Sequence, residues 1–457
     1  MNHLTRKKKK NWTDPDLPLK KVVFLLAWPV MAQMFLQTLA QIVDMAMVGR
    51  LGQEAIAGVG ISFRPVFVGL SIFLGLGTAT TALVSRAIGG KREKEAELAA
   101  SQSFMVGILL SLALAIGFFF GSKQIALFMG AEGIVVDKGS TYLQGFSFGM
   151  IFSYTIILAT ACLRGAGDTK TPFYAGLISN IVNVAANYVL IFGKFGFPAL
   201  GVLGAALGTS ISYLVGFILL FRVLIRGTGG LHVRFRSLFK FEPVMIKRFF
   251  KIGIPAASER LVQSVTLMLV TKIVATLGTT ALAVVTLSGN IEQLSFMPAI
   301  GFSVAAAALV GQNLGAKQPQ RAEESCYTAA KMAAALMSFM GLMFILFPEV
   351  FIRIYSSDPE IINSGKIVMR VLGLAQLPQA ISFVLGGGLR GAGDTATAFK
   401  VSLAGNVAIR LGLTWIFVTQ LQLGLWSVYA AVVADWAVRS IILGKIFKQG
   451  KWKSIEV

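Results

Sequence analysis

Apolar stretches of about twenty residues or more recur roughly twelve times along the chain, and a helix of that length is what crosses a hydrocarbon core of about 30 Å. Short charged or Gly/Pro-bearing breaks separate them. The spacing predicts spans over roughly 22–46, 56–85, 97–121, 139–163, 172–193, 200–224, 250–276, 280–310, 324–347, 361–388, 397–419 and 424–446. Composition agrees: 55% of the 457 residues are hydrophobic and 14% charged, with a mean hydropathy of +0.73, outside the range of soluble globular chains. The expected fold class is an all-α polytopic membrane protein. Cys162, Cys326, His3 and His232 are too few for a zinc or iron–sulfur framework or a disulfide scaffold, so no metal and no cofactor is expected.

The net charge of +21 would suggest nucleic acid in a soluble protein, but here the basic residues report topology. Most of the 42 Lys and Arg fall in the termini and in alternate loops, including Lys7 to Lys10, Arg86 to Lys94 and Arg222 to Lys251. Arg50, Arg64, Lys123, Lys138, Lys194, Lys272, Arg353 and Lys366 fall on the other side, and Arg260, Arg370, Arg410 and Arg439 lie within spans. The positive-inside rule then sets both termini in the cytoplasm of a cell (inner or plasma) membrane, with no nucleic-acid partner. The basic start leads into a full-length span without a small-residue cleavage site, so it reads as a tail and not a signal peptide.

The chain also repeats itself. Leu163-Arg-Gly-Ala-Gly-Asp-Thr169 recurs as Leu389 to Thr395, an offset of 389 − 163 = 226 residues. Pro29 matches Pro255, Gln37 matches Gln263, and Gly89 with Lys91 match Gly315 with Lys317 at the same offset. Six helices per half is an even number, so both halves enter the membrane the same way, as two pseudo-symmetric lobes around a central cleft. The expected organisation is a cytoplasmic basic tail at 1–21, an N-terminal lobe at 22–225, a linker at 226–249, a C-terminal lobe at 250–447 and a tail at 448–457. The linker mixes Arg234, Phe235, Arg236, Phe239, Phe241, Phe249 and Phe250, which fits an interfacial amphipathic helix.

Ionisable and amide groups inside spans are costly and so are functional candidates. At about 100° per residue, Gln33, Gln37, Gln41 and Asp44 share one face of the first span, and Asn180, Asn183 and Asn187 share one face of the fifth. If the two faces meet, amides surround Asp44, and the carboxyl can exchange a proton or hold a sodium ion. The alternative is that Asp44 caps a helix end near the outer surface. In the second half Glu259, Gln263 and Thr266 share an arc, as do Ser288, Glu292 and Ser295. Arg410, Asp435 and Arg439 can form a buried ion network, which is either functional or holds the lobe together. Each Arg-Gly-Ala-Gly-Asp-Thr turn reads as a structural hinge whose Asp or Thr caps the next helix, because a phosphate loop would need a Lys-Ser/Thr ending and a preceding strand. Pro29 gives the first helix a bending point.

At these residues the chain resembles the MATE (multidrug and toxic compound extrusion) transporters over nearly its whole length. The resemblance rests on Val43-Asp44, Met47-Val48-Gly49, Leu51-Gly52 and Ala57-Gly58-Val59-Gly60, on both glycine-rich turns, and on Val310-Gly311-Gln312-Asn313-Leu314-Gly315. It implies a V-shaped pair of six-helix lobes that exports organic cations or amphiphilic drugs in exchange for protons or sodium. It also implies that Asp44 is the ion-coupling acid, with Asn183 and Thr209 as polar neighbours. The family's second acid on the fifth helix is Asn187 here, and the acids of branches that couple through the second lobe are Gln263, Gln376 and Gln379. Glu259 stands one turn before Gln263 as a substitute.

The expected function is a secondary antiporter, functional as a monomer. Ion coupling is expected at Asp44, Asn183, Asn187 and Thr209, and a substrate cleft or second polar site at Gln33, Gln37, Glu259, Gln263, Glu292, Arg410 and Asp435. Its partners are small-molecule organic cations or amphiphiles and the bilayer. A flippase for a lipid-linked substrate is the alternative. An enzyme is not expected, since the chain offers no metal cluster and no Ser-His-Asp set.

Overall fold

The computed structural model describes residues 12–455; Lys7–Lys10 and the rest of residues 1–11, residues 456–457, and the side chains of Phe235 and Phe239 lie outside that description. The chain is helical from Leu19 onward. In order come α1 (Leu19–Gly49), α2 (Gln53–Gly89), α3 (Glu93–Phe128), α4 (Ile134–Gly165), α5 (Lys170–Phe192) and α6 (Val202–Arg226). After a short 3₁₀ turn at Phe235–Phe239 follow α7 (Pro243–Ala275), α8 (Thr279–Gly315), α9 (Pro319–Leu346), a short α10 (Pro348–Arg353), α11 (Pro359–Ala392), α12 (Thr395–Gln420) and α13 (Trp426–Gln449). Among the described residues, 10 helices are both long and apolar enough to cross a membrane, so this is a multi-pass membrane protein. The other two of span length, α7 and α13, are more charged. They carry Glu259 and Arg260, and Asp435 and Arg439, respectively.

The internal repeat is visible in the backbone. Gly52 and Gly278, 226 residues apart, enter α2 and α8 at φ of 103° and 101°, and Lys91 and Lys317 turn out of those helices at 56° and 59°. Both glycine-rich turns use a left-handed glycine, Gly167 at 80° and Gly393 at 91°, where a side chain would be strained. Their aspartates do cap the next helix: Asp168 accepts from Thr171 N at 3.0 Å, and Asp394 from Thr397 N at 3.2 Å. The backbone of α12 widens to π turns at Ala404–Leu411 and Ile416–Gln420, which α5 does not have. Past α12 the offset shortens: Gly227 and Gly450, which close α6 and α13, are 450 − 227 = 223 apart.

By its contacts the chain forms two compact units. The first contains Ala32–Lys251, and the second contains Trp12–Met31 and the chain from Ile252. In the first, α4 packs on α2, α3 and α6; in the second, its repeat α11 packs on α8, α9 and α13. The boundaries differ from the sequence expectation of 22–225 and 250–447. The start of α1 lies in the second unit because Val22, Val23, Leu26 and Ala27 are buried there against Phe302, Ala306 and Leu309, and α8 approaches closely at Gly301. Residues up to Lys251, including the start of α7, lie in the first. There Glu97 accepts from Ser237 Oγ at 2.9 Å and Gln102 from Glu242 N at 3.1 Å, binding the connecting segment to α3. The helix expected at the end of that segment is not separate: it is the first turns of α7.

Candidate functional site

In the first unit the polar faces of α1 and α5 meet. Asn187 Nδ2 donates to Asp44 Oδ1 at 2.8 Å. The orientation that satisfies the neighbouring Asn183 amide turns its nitrogen to the same carboxylate, at 2.7 and 3.0 Å from the two oxygens. The other amide atom of Asn183 then lies 3.3 Å from Thr209 Oγ1 on α6, whose hydroxyl donates to Ala205 O at 2.8 Å. Asn183 and Asn187 are buried and Asp44 is half-buried. The carboxylate reaches across to α5 from within α1, before that helix ends at Gly49.

Local sequence explains the fit. A Cβ on Gly208 would overlap the Asn187 amide oxygen and sit 3.0 Å from its backbone nitrogen, so only glycine lets α6 approach α5 here. The Asn187 Oδ1 oxygen is buried with no hydrogen-bond partner among the described residues. A carboxylate, amide oxygens and a hydroxyl therefore stand together, the hard oxygen set that suits a proton or a small hard cation. Beside them runs an aromatic row, Tyr142–Phe146–Tyr213, with centroid spacings of 5.9 and 6.1 Å, and Asp44 lies within electrostatic reach of both tyrosines. Sequence reasoning missed these tyrosines, because nothing in their spacing separates them from ordinary packing aromatics.

Gln33 belongs to a different contact. Arg164 of the first glycine-rich turn donates through Nη2 to Gln33 Oε1 at 3.0 Å. Exactly one repeat later this contact recurs with a charged partner: Arg390 Nη1 donates to Glu259 at 3.1 and 3.2 Å. The turn read from sequence as a hinge thus also sends an arginine to the first helix of each repeat. Gln33 and Glu259 stand at the same offset as the two arginines, so the contact, once seen in one repeat, is expected in the other. Gln37 and Gln41 are exposed and stand apart from Asp44's hydrogen bonds.

The other polar residues of the second half gather in the second unit. Asp435, fully buried, accepts from Arg439 at 2.5 and 2.7 Å, and Arg410 Nε lies 2.9 Å from its Oδ2. Both guanidiniums lie over the Trp436 ring, at 5.4 Å for Arg410 and 4.9 Å for Arg439. The pair fits because residue 405 has no side chain: a Cβ there would overlap both the Arg439 guanidinium and the Asp435 carboxylate. Glu292 accepts from Gln379 Nε2 at 3.0 Å. Gln263 lies with Glu259 on the wall of a small pocket, and Pro29 sits inside α1 just before the helix passes from the second unit to the first.

Comparison with known proteins places these features in context. The family model described as MatE matches residues 29–189 and 255–416, one match per repeat. The chain is 30% identical over 442 residues to the probable multidrug resistance protein NorM of Thermotoga maritima, covering 95% of this chain and 93% of that one. It is 27% identical to the uncharacterized transporter YisQ of Bacillus subtilis, over 94% of each. Among solved structures, an outward-facing multidrug resistance MATE family transporter of the MOP superfamily superposes with a TM-score of 0.88 at 23% identity, covering 98% and 99% of the two chains. A MOP superfamily transporter from Pyrococcus furiosus gives 0.88 at 23% identity, covering 97% and 98%.

Proposed function

Since the chain belongs to the MatE family, whose members are membrane transporters and not enzymes, we propose that it is a secondary antiporter that exports organic cations or amphiphilic drugs in exchange for a proton or a sodium ion loaded at Asp44. The observation that carries this reading is the gathering of Asn187, Asn183 and Thr209 around the Asp44 carboxylate within one membrane unit. An ionisable group inside a membrane-spanning helix is expensive to keep unless it works. Relatives named as multidrug resistance proteins support drug-like substrates.

In this reading the ion neutralises Asp44, the amides around it turn to follow the change, and α1 rearranges near Pro29. The passage of α1 between the two units supports that hinge. The second polar set, Glu259, Gln263, Glu292, Arg410 and Asp435, serves the C-terminal half. The basic loops place both termini in the cytoplasm, and the protein works as a monomer.

Uptake of a fluorescent organic cation into proteoliposomes tests this. A pH gradient and a sodium gradient are imposed separately on wild type and on Asp44→Asn. Movement driven by one gradient and lost in the variant supports the antiporter and names its ion. Gradient-driven movement that survives in the variant rejects Asp44 as the coupling acid, and no movement of any cation turns attention to lipid-linked substrates.

A further inference from the structure

The second unit holds a small pocket between α7, α11, α12 and α13, on the C-terminal polar set and apart from the Asp44 site. Its polar wall is Glu259, Gln263, Ser382, Arg390, Ser402 and Arg439, and Phe383 and Trp436 flank it. The free volume of about 30 Å³ admits one or two waters or a single small ion.

The chemistry of that wall selects among small occupants. Glu259, the one carboxylate on it, is already engaged through both oxygens by Arg390. Ser402 Oγ accepts from Arg439 Nη1 at 3.3 Å and from Asn406 Nδ2 at 3.2 Å, so its own proton is what it can offer to the pocket. Arg390, Arg439, Gln263, Ser382 and Ser402 can therefore all turn donors to the pocket, and its one carboxylate is committed.

Charge points the same way. The partly or fully buried ionisable groups in and around this network are Arg260, Arg390, Arg410 and Arg439 against Glu259, Glu292 and Asp435, four cations and three anions. A positive charge left over in a low-dielectric bundle costs several kcal/mol, which a water does not offset and one monovalent anion does.

We propose that this pocket binds a chloride-sized monatomic anion, held by Arg390, Arg439 and the Ser402 hydroxyl. The site is independent of which ion drives transport. Glu259 competes with the anion for Arg390, so removing that carboxylate's charge strengthens binding. Glu259→Gln keeps an acceptor for Arg390, as Gln33 does for Arg164 in the first unit.

The test uses the purified full chain with chloride replaced by gluconate. Bromide is added at constant sodium, and binding is read by calorimetry with chloride as competitor and by anomalous scattering from crystals. The expected result is a bromide peak between Arg390 and Arg439 that chloride displaces. Affinity should rise about tenfold in Glu259→Gln, from loss of one nearby like charge, and fall in Ser402→Ala. The absence of a bromide peak in both wild type and Glu259→Gln overturns the proposal. So does a peak that chloride does not displace, or a Glu259→Gln variant that binds no more tightly than wild type.

Discussion

Replacing Asp44 with Asn separates a working carboxylate from a structural one, because its cost to the fold can be worked from the contacts. The carboxylate takes hydrogen bonds from Asn187 at 2.8 Å and from Asn183 at 2.7 and 3.0 Å. Bonds to a charged acceptor contribute about 1.5–3 kcal/mol each against about 0.5–1.5 kcal/mol for neutral ones, so discharging the group forfeits about 2–3 kcal/mol. Against that, an uncharged side chain avoids about 2.5–3.5 kcal/mol of the penalty for a charge at membrane depth. Shape is conserved, and the two terms offset to within about 1 kcal/mol. The variant should therefore unfold in detergent within about 3 °C of wild type while losing gradient-driven export in proteoliposomes. A loss of more than about 3 kcal/mol of stability would show that the fold needs the charge, and wild-type export would show that transport does not.

Four further outcomes follow from the geometry. Asp435→Asn leaves Arg410 and Arg439 facing each other in a buried site and should cost about 3–5 kcal/mol in detergent unfolding; a cost under about 1 kcal/mol would refute the ion network as drawn. Gly405→Ala should destabilise by about 1–3 kcal/mol, because the added methyl overlaps the Arg439–Asp435 pair, and restoring glycine in the same assay should recover it. Arg390→Gln should cost more than Arg164→Gln by at least about 1 kcal/mol, since the first strands a carboxylate and the second a neutral amide; equal melting points would contradict this. Arg321→Ala removes the side chain that donates to the carbonyls of Asp14, Pro15 and Leu17, so trypsin should cleave at Lys20 and Lys21 faster than in wild type, and an unchanged rate would show that the segment is held by other contacts.

The sequence alone determined what local chemistry controls. Helix number and the all-α class follow from the length of the apolar runs, since backbone groups in hydrocarbon must be satisfied within the segment. The 226-residue repeat is legible down to single backbone conformations, at Gly52 and Gly278 and at Lys91 and Lys317. Angular arithmetic on α5 put Asn183 and Asn187 on one face, and both do face Asp44. What depended on packing between distant segments was decided only by the tertiary structure. Arg164 meets Gln33 and Arg390 meets Glu259 across 131 residues of chain, and no periodicity within either helix indicates that partner. The apolar residues of α1 announce burial but not against which neighbours, so its division between two units became visible only when Val22, Val23, Leu26 and Ala27 were seen against Phe302 and Leu309. Gly405 shows the same limit: a glycine in a span reads as a close approach of unspecified kind, and only the fold reveals that what approaches is a buried guanidinium.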